Sequence, residues 1–166
     1  PENIYGRFYD MVAFQGKLYG ARSNAIQTSS DGGLHWETDL RIPALAFLVR
    51  GDTLWAGSFD GIFRTTDGEH WTFCSKNILD QYSGAMSEVL PFEGGMAVLS
   101  TNDVLYVSRD DGQTFDFVTF GAHGPLIATD NGYVLASPYR YRVSDGFLDT
   151  ITIPGISEYF YYDYAY

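Results

Sequence analysis

A glycine-marked turn followed by a short apolar strand occurs four times along this chain, and this repeat constrains the fold more than any other feature. The four copies begin at Gly16, Gly51, Gly94 and Gly132. After each copy comes a further strand that closes on a hydroxyl residue. These residues are Ser29, Thr65, Ser108 and Ser144, and they lie 36, 43 and 36 residues apart. A period near 40 residues with several short strands per unit predicts a stack of small antiparallel sheets.

Two more strands complete each unit. Apolar and aromatic runs bounded by Gly, Asn and Asp predict first strands at 11–14, 44–49, 87–92 and 126–129. The same signals predict fourth strands at 36–40, 71–74, 115–120 and 150–153. No segment shows apolar residues at helical spacing behind a capping residue. The sequence therefore predicts an all-β chain, a β-propeller of four-stranded antiparallel blades.

The predicted blades cover nearly the whole chain. Four repeats fall at about 8–40, 44–74, 84–120 and 125–154, and a tyrosine-rich tail follows at 155–166. We interpret residues 1–166 as a single β-propeller or a propeller fragment. The decayed fourth repeat and a first residue that is Pro rather than Met favour part of a larger ring. Contact between the first and fourth repeats is the observation that would decide this point.

Charge and hydropathy exclude several classes of partner. The 166 residues carry 10 Lys and Arg against 21 Asp and Glu, a net charge of −11. This excess argues against binding to a nucleic acid or to an anionic membrane surface. The longest apolar run, residues 42–49, is too short to insert into a membrane. The single cysteine, Cys74, cannot form an internal disulfide, and a buried free thiol is the preferred interpretation.

The turns between the third and fourth strands share a motif of a hydroxyl residue, an Asp, a Gly and an aromatic residue. An Asp carboxylate in a tight turn accepts hydrogen bonds from the next backbone N–H groups, and Gly permits backbone torsions that a side chain forbids. We expect the aromatic ring to pack between neighbouring sheets, which makes the motif structural. Its residues are Ser29, Asp31, Gly33, Trp36; Thr65, Asp67, Gly68, Trp71; and Ser108, Asp110, Gly112, Phe115.

This motif resembles the Asp box, or bacterial neuraminidase repeat. The fourth copy, residues 144–147, has lost the spacer and the closing aromatic residue. The resemblance implies a β-propeller with the boxes on the outer rim, away from the axis where ligands usually bind. Families with this box include sialidases, xyloglucan-degrading glycosidases, sortilin-type receptors, photosystem-assembly propellers and some virion proteins. Because these families include enzymes and non-enzymes, the resemblance does not define an activity.

The segment Leu40-Arg41-Ile42-Pro43 is the main indication of an enzyme. It is similar to the aromatic-Arg-Ile-Pro motif of sialidases, in which the Arg grips a substrate carboxylate. Here Leu replaces the aromatic residue and the motif follows the first box, so Arg41 is a candidate binding residue only. We assign no catalytic residue, no metal ligand and no cofactor.

Other polar residues have structural interpretations. Asp52, Asp60, Asp103 and Asp130 are predicted to occupy loops, where solvated acids are common. His35 and His70 stand where the box usually has Thr, and no histidine pair has metal-ligand spacing. A Ca²⁺ site at Asp110 and Asp111 is disfavoured because the sequence lacks an alternating run of oxygen ligands.

The tail is the least ordinary segment. Five of the 13 tyrosines lie in the last eight residues. Tyrosine combines a large apolar face with a polar tip, which suits interfaces and stacking on sugars. Three interpretations stay open: a strand that completes a blade, a protein contact and a glycan contact. The candidate binding residues are Tyr159, Tyr161, Tyr162 and Tyr164.

Taken together, these features favour a non-enzymatic interaction or structural module within a larger assembly. A protein partner or a second copy of the chain is expected, with a glycan as the alternative partner. A secreted, cell-surface or virion location is slightly favoured. A fragment of an Asp-box glycoside hydrolase and an assembly chaperone are the two alternative functions.

Overall fold

A computed structural model describes residues 7–74 and 84–151, which form sixteen β-strands and no helix. Blade 1 holds β1 (Asp10–Phe14), β2 (Lys17–Ala21), β3 (Ile26–Ser29) and β4 (Glu37–Leu40). Blade 2 holds β5 (Ala46–Arg50), β6 (Thr53–Ser58), β7 (Gly61–Thr65) and β8 (Thr72–Phe73). Blade 3 holds β9 (Met86–Phe92), β10 (Gly95–Ser100), β11 (Val104–Ser108) and β12 (Asp116–Phe120). Blade 4 holds β13 (His123–Ala128), β14 (Tyr133–Ser137), β15 (Tyr139–Arg142) and β16 (Leu148–Thr150).

Each blade is a four-stranded antiparallel meander in which consecutive strands are hydrogen-bonded neighbours. Tight turns at Gly16, Gly51 and Gly94, all at positive φ, join the first strand to the second. The all-β class and the four four-stranded units predicted from the repeat are confirmed. Two strand starts in the fourth repeat are displaced: β13 begins at His123 instead of 126, and the last strand begins at Leu148 instead of 150 because the preceding turn is short. Residues 152 and 153 of that prediction lie outside the described residues.

The blades stack in chain order through their first strands, with β1 against β5, β5 against β9 and β9 against β13. For each blade we call the side toward the preceding blade its leading face and the side toward the following blade its trailing face. Side chains alternate between these faces along every strand. In β6, Leu54 points toward blade 1 and Trp55 toward blade 3, and both are buried.

Three apolar clusters fill the three junctions between consecutive blades. Phe14, Tyr19 and Leu54 belong to the cluster between blades 1 and 2. Trp55 and Phe115 belong to the cluster between blades 2 and 3. The cluster between blades 3 and 4 contains Leu105, Leu126 and Val134. Burying these side chains stabilises each junction by about 1.5–3 kcal/mol per large residue, so the stack is cohesive along its length.

The two end faces differ from the junctions. Within residues 7–74 and 84–151, none of the apolar clusters joins blade 4 to blade 1. Met11, on the leading face of blade 1, is 59% exposed, and Ile127, on the trailing face of blade 4, is 49% exposed. The described chain therefore presents two uncovered sheet faces. The tail candidates Tyr159, Tyr161, Tyr162 and Tyr164 lie outside the described residues.

Candidate functional site

The turn between β11 and β12 shows how one box is organised. The Asp110 carboxylate accepts hydrogen bonds from the backbone N–H groups of Gln113 (3.1 Å) and Thr114 (2.9 Å) and from the Thr114 hydroxyl (2.6 Å). The Ser108 hydroxyl donates to the same carboxylate and accepts from Gly112 N–H at 2.7 Å. Although burial opposes it, these hydrogen bonds lower the pKa of Asp110. The turn is a closed set of local hydrogen bonds.

The first two boxes have the same hydrogen bonds with a histidine in place of the threonine. Asp31 accepts from the backbone N–H and the imidazole Nδ1 of His35, at 2.9 and 2.6 Å. Asp67 binds His70 in the same way, at 2.8 Å for both contacts. These contacts hold the pKa values of Asp31 and Asp67 well below their usual range. The hydrogen bond to Asp67 raises the pKa of His70 in turn.

The three boxes differ in what covers their glycine. Gly68 is buried against the hydroxyl end of Tyr19, which comes from blade 1. Gly112 is buried beneath the ring of Trp55, which comes from blade 2 and lies 2.5 Å from where a Cβ on the glycine would stand. Gly33 is half-buried, and among the described residues its neighbours are Leu18 and Trp36 of its own blade. An aromatic residue of the preceding blade thus covers the box glycine in blades 2 and 3.

The box aromatic residues occupy graded environments. Phe115 is buried in the cluster between blades 2 and 3, and Trp71 packs against the cluster between blades 1 and 2. Trp36 lies at the leading end, where its ring stacks at 4.6 Å on Phe8 and its indole N–H donates to the Gly33 carbonyl at 3.0 Å. The aromatic residue at this motif position therefore lies in the core in blade 3 and near the surface in blade 1.

Blade 4 carries the degenerate box. Asp145 accepts from the Phe147 backbone N–H at 3.1 Å and pairs with Arg142 at 2.6 Å through two parallel contacts. Across the junction from blade 3, the guanidinium of Arg109 lies near Gly146 and stacks over the ring of Tyr141. This turn is held by a guanidinium–carboxylate pair instead of the hydroxyl–carboxylate pair of the other three.

Arg41 lies beside an open cavity of about 630 Å³ on the leading side of blade 1. Its other lining residues are mostly polar: Asn24, Ala25, Gln27, Trp36, Glu37 and Thr38. The cavity thus brings together a guanidinium, two amides, a hydroxyl, a carboxylate and an indole. Sequence reasoning identified Arg41 alone and assigned Trp36 to packing, because neighbouring residues of β3 and β4 meet here only after the sheet has formed.

Hydrogen bonds organise the floor of this cavity. The Gln27 side chain is buried, accepts from the Arg22 guanidinium at 3.2 Å and donates to the Thr38 hydroxyl at 3.4 Å. Arg22 also stacks over the ring of Phe8, which in turn lies against Gly20. The floor is therefore held in place by contacts within blade 1, and Arg41 is exposed above it.

Two carboxylates on the first strands join neighbouring blades. Asp10 of β1 accepts from the Phe47 N–H of β5 at 2.7 Å, and Glu88 of β9 accepts from the Leu126 N–H of β13 at 2.8 Å. Both acids point toward the following blade, at matching positions of their strands. Sequence reasoning did not identify them, although an acid at the same position of two first strands was a usable signal.

The remaining polar candidates have ordinary environments. Asp52, Asp60 and Asp130 lie exposed in turns, and Asp103 pairs with His123 at 3.1 Å. The Asp111 carboxylate accepts from the Arg50 guanidinium at 3.1 Å. In residues 7–74 and 84–151, no three His, Cys, Asp or Glu side chains are grouped to hold a metal ion. Cys74 is a buried free thiol, and burial raises its pKa.

The stacked blades and their covered turns define a β-propeller-like repeat protein. No family model matches the chain, and no curated protein matches it. Solved structures do match. The extracellular domain of BT4673, a putative one-component system of B. thetaiotaomicron, is similar with a TM-score of 0.69 and 18% identity. The match covers 90% of this chain and 22% of that one.

Two further propeller-like structures are similar at low identity. YCF48 from Cyanidioschyzon merolae has a TM-score of 0.58 and 16% identity, with 90% of this chain and 57% of that one covered. PorZ, a surface component of the type-IX secretion system of Porphyromonas gingivalis, has a TM-score of 0.54 and 13% identity, with 92% and 22% covered. The chain thus spans between about a fifth and somewhat more than half of these proteins. At such identities the likeness shows the fold alone.

No helix among the described residues is long and apolar enough to cross a membrane.

Proposed function

We propose that this chain is a non-enzymatic interaction module and that the leading face of blade 1 binds a protein partner. The observation that carries the proposal is the cavity beside Arg41, where donors and acceptors of several kinds surround an indole ring on an uncovered sheet face. Amides and hydroxyls bind peptide groups, a guanidinium binds a carboxylate in two contacts, and an indole supplies apolar area. This combination matches the composition of protein interfaces, in which Trp and Arg are enriched.

The positions of the acids support a binding role over hydrolysis. A glycoside hydrolase needs two carboxylates that flank a sugar. The first-strand carboxylates of Asp10 and Glu88 instead accept backbone hydrogen bonds from the following blade. We also interpret the three hydroxyl-Asp-Gly-aromatic turns as structural Asp boxes, since their polar groups are committed to the turn itself. YCF48, a protein of similar fold, has been solved bound to D1 peptide, which supports a polypeptide partner for a blade stack of this kind.

A photo-crosslinking amino acid at position 41 tests the proposal. We expect the variant to form a discrete adduct with another polypeptide in an extract of the source organism, identified by mass spectrometry. The matched control carries the same amino acid at Lys17, an exposed position of the same blade. Equal labelling at both positions, or no adduct at position 41, contradicts the proposal. Turnover of a fluorogenic sialoside or a xyloglucan oligosaccharide that disappears in Arg41→Ala contradicts it as well.

Glycan binding is the second candidate function, and the indole of Trp36 beside amide and carboxylate groups favours it. Sugars stack on aromatic rings, exchange hydrogen bonds with amides and donate hydrogen bonds to carboxylates. A glycan array probed with the wild-type chain and with Arg41→Ala separates the two candidates. Saturable binding to one glycan class that is lost in the variant would favour the sugar, while an array without binding leaves the protein partner as the proposal.

A further inference from the structure

The trailing face of blade 4 carries an aromatic–arginine pair that also exists inside the stack. Val134 and Ala136 of β14 point into the cluster with blade 3, so Tyr133 and Leu135 of the same strand lie on the uncovered trailing face. The guanidinium of Arg140, on the neighbouring strand, lies 5.7 Å from the Tyr133 ring centroid. Tyrosine and arginine are the residue types that most often dominate binding at protein interfaces.

An aromatic–arginine pair in blade 2 shows what such an arrangement does when it is covered. There the two residues are direct cross-strand partners, the relation that Leu135 and Arg140 have in blade 4. Trp55 lies on the trailing face of β6 with the Arg64 guanidinium 5.4 Å from its ring. Trp55 covers Gly112 of the next box, and Arg64 donates to the Asp111 carbonyl of that box at 3.4 Å. An aromatic–arginine pair on a trailing face is therefore a contact that engages the box of the following blade.

The box that lacks such a contact is the first one. Gly33 has φ of +93°, and within residues 7–74 and 84–151 no residue of another blade lies against it. The adjacent Leu34 is 79% exposed, and Met11 on the same end of the chain is 59% exposed. Gly33 stands at the position of Gly68 and Gly112, with the same hydroxyl hydrogen bond to its backbone N–H. The turn at Gly33 therefore already has the geometry that takes a covering residue in the other two boxes.

From these two faces we infer that the occupant of the blade 1 leading face is a second copy of this chain, docked by its blade 4. In this arrangement Leu135 of one copy, with Tyr133 beside it on the same face, covers Gly33 of the other, as Trp55 covers Gly112 within the chain. This inference names the partner in the proposed function and rests on it. Head-to-tail contacts of this type close into a ring when the rotation permits, and two copies supply eight blades, within the range of propellers.

The charges on the trailing face of blade 4 permit this contact. Arg140 is paired with Asp149 at 2.7 Å and Arg142 with Asp145 at 2.6 Å, so the trailing face offers neutralised pairs around Tyr133, Leu135 and Ile127. The high net negative charge of the chain opposes association, so the dimer should tighten as salt screens this repulsion.

Sedimentation velocity over a range of protein concentrations tests the inference. We expect the wild-type chain to sediment as a dimer that dissociates on dilution. Tyr133→Ser on one face and Met11→Glu on the other should each weaken the dimer by about tenfold or more. Phe59→Ser is the control, since Phe59 is exposed to about the same degree as Met11 but lies in the turn between β6 and β7. Circular dichroism confirms that each variant is folded, and Leu34→Glu replaces Met11→Glu if that variant does not fold.

Mixing the variants identifies the geometry of the contact. A head-to-tail interface predicts that Tyr133→Ser and Met11→Glu, each monomeric alone, form a mixed dimer through the one intact pair of faces. A monomer at every concentration, or a dimer that neither substitution weakens, overturns the inference. A monomer that still crosslinks to a different polypeptide at position 41 overturns the inference while the proposed function stands.

Discussion

The first and third boxes contain nearly the same local structure in two different surroundings. In both, a serine hydroxyl and an aspartate carboxylate hold the turn through backbone N–H groups. Gly112 of the third box is buried beneath Trp55, whereas in the part of the chain that the structure describes no residue of another blade lies over Gly33 of the first box. The turn therefore forms whether or not a neighbour covers it, because its hydrogen bonds are all local.

This difference separates two kinds of stabilisation. The carboxylate turn orders four or five consecutive residues. The cover, which is the aromatic side chain over the box glycine, joins one blade to the next through its apolar area. The cover is the larger contribution because it removes a whole aromatic ring from water. Substitutions that act on the cover should therefore be severe at the third box and mild at the first.

The largest effect is expected for Trp55→Ala. Trp55 is 3% exposed and fills the junction over Gly112, so its removal leaves a cavity that the neighbouring side chains cannot fill. We therefore expect a loss of about 3–5 kcal/mol in the free energy of unfolding. Trp36→Ala, at the half-buried ring of the first box, should lose clearly less. Urea denaturation of both variants measures the difference. Equal losses would mean that the first box is covered to the same extent.

The next largest loss of stability is expected for alanine substitutions at the box glycines Gly112 and Gly33. Both have positive φ, so alanine introduces backbone strain of about 1–2 kcal/mol at either position. At Gly112 the added Cβ also meets the Trp55 ring, and overpacking adds about 1–3 kcal/mol. At Gly33 the nearest atoms are 3.7 Å away, an ordinary contact. In thermal unfolding at concentrations where the chain is monomeric, Gly112→Ala should thus have a lower midpoint temperature than Gly33→Ala.

The smallest effect is a pH dependence that differs between the second and third boxes. The pKa of His70 is raised by Asp67, so the protonated imidazole stabilises the folded state below the pKa of unfolded histidine. This stability is lost as the pH rises from the ordinary histidine pKa of about 6.5 through the higher folded pKa. We expect His70→Thr, which copies Thr114 of the third box, to flatten the stability of the chain across this range. An unchanged slope in urea titrations at several pH values would contradict the coupling of His70 to folding.

The fold was largely predictable because its signals are local. The glycine turns, the closing hydroxyl residues and the short apolar runs recur at one period, and each unit folds by the same antiparallel pairing. The least accurate boundary fell in the fourth repeat. There Asp145 and Arg142 hold a shorter turn than the box, and the last strand begins at Leu148.

The candidate site was not predictable to the same extent. Arg41 was identified from a short motif, but the residues that share its cavity belong to two strands and a turn that have no common sequence signal. In the sequence, the acids that join neighbouring blades, Asp10 and Glu88, can be recognised by their shared position in two first strands, but what they bind cannot. Their roles depend on which backbone N–H the next blade presents, which no local pattern encodes.

The sequence by itself determined the strand content, the number of blades and the chemistry of the box turns, because these depend on contacts between residues a few positions apart. Only the tertiary structure decided which box glycines are covered and which face of each end blade is open. The physical reason is that Tyr19 and Trp55 reach their glycines across a junction, 49 and 57 residues along the chain. Such contacts exist only once the blades have stacked, and they also show that Gly33 has no cover within the described chain.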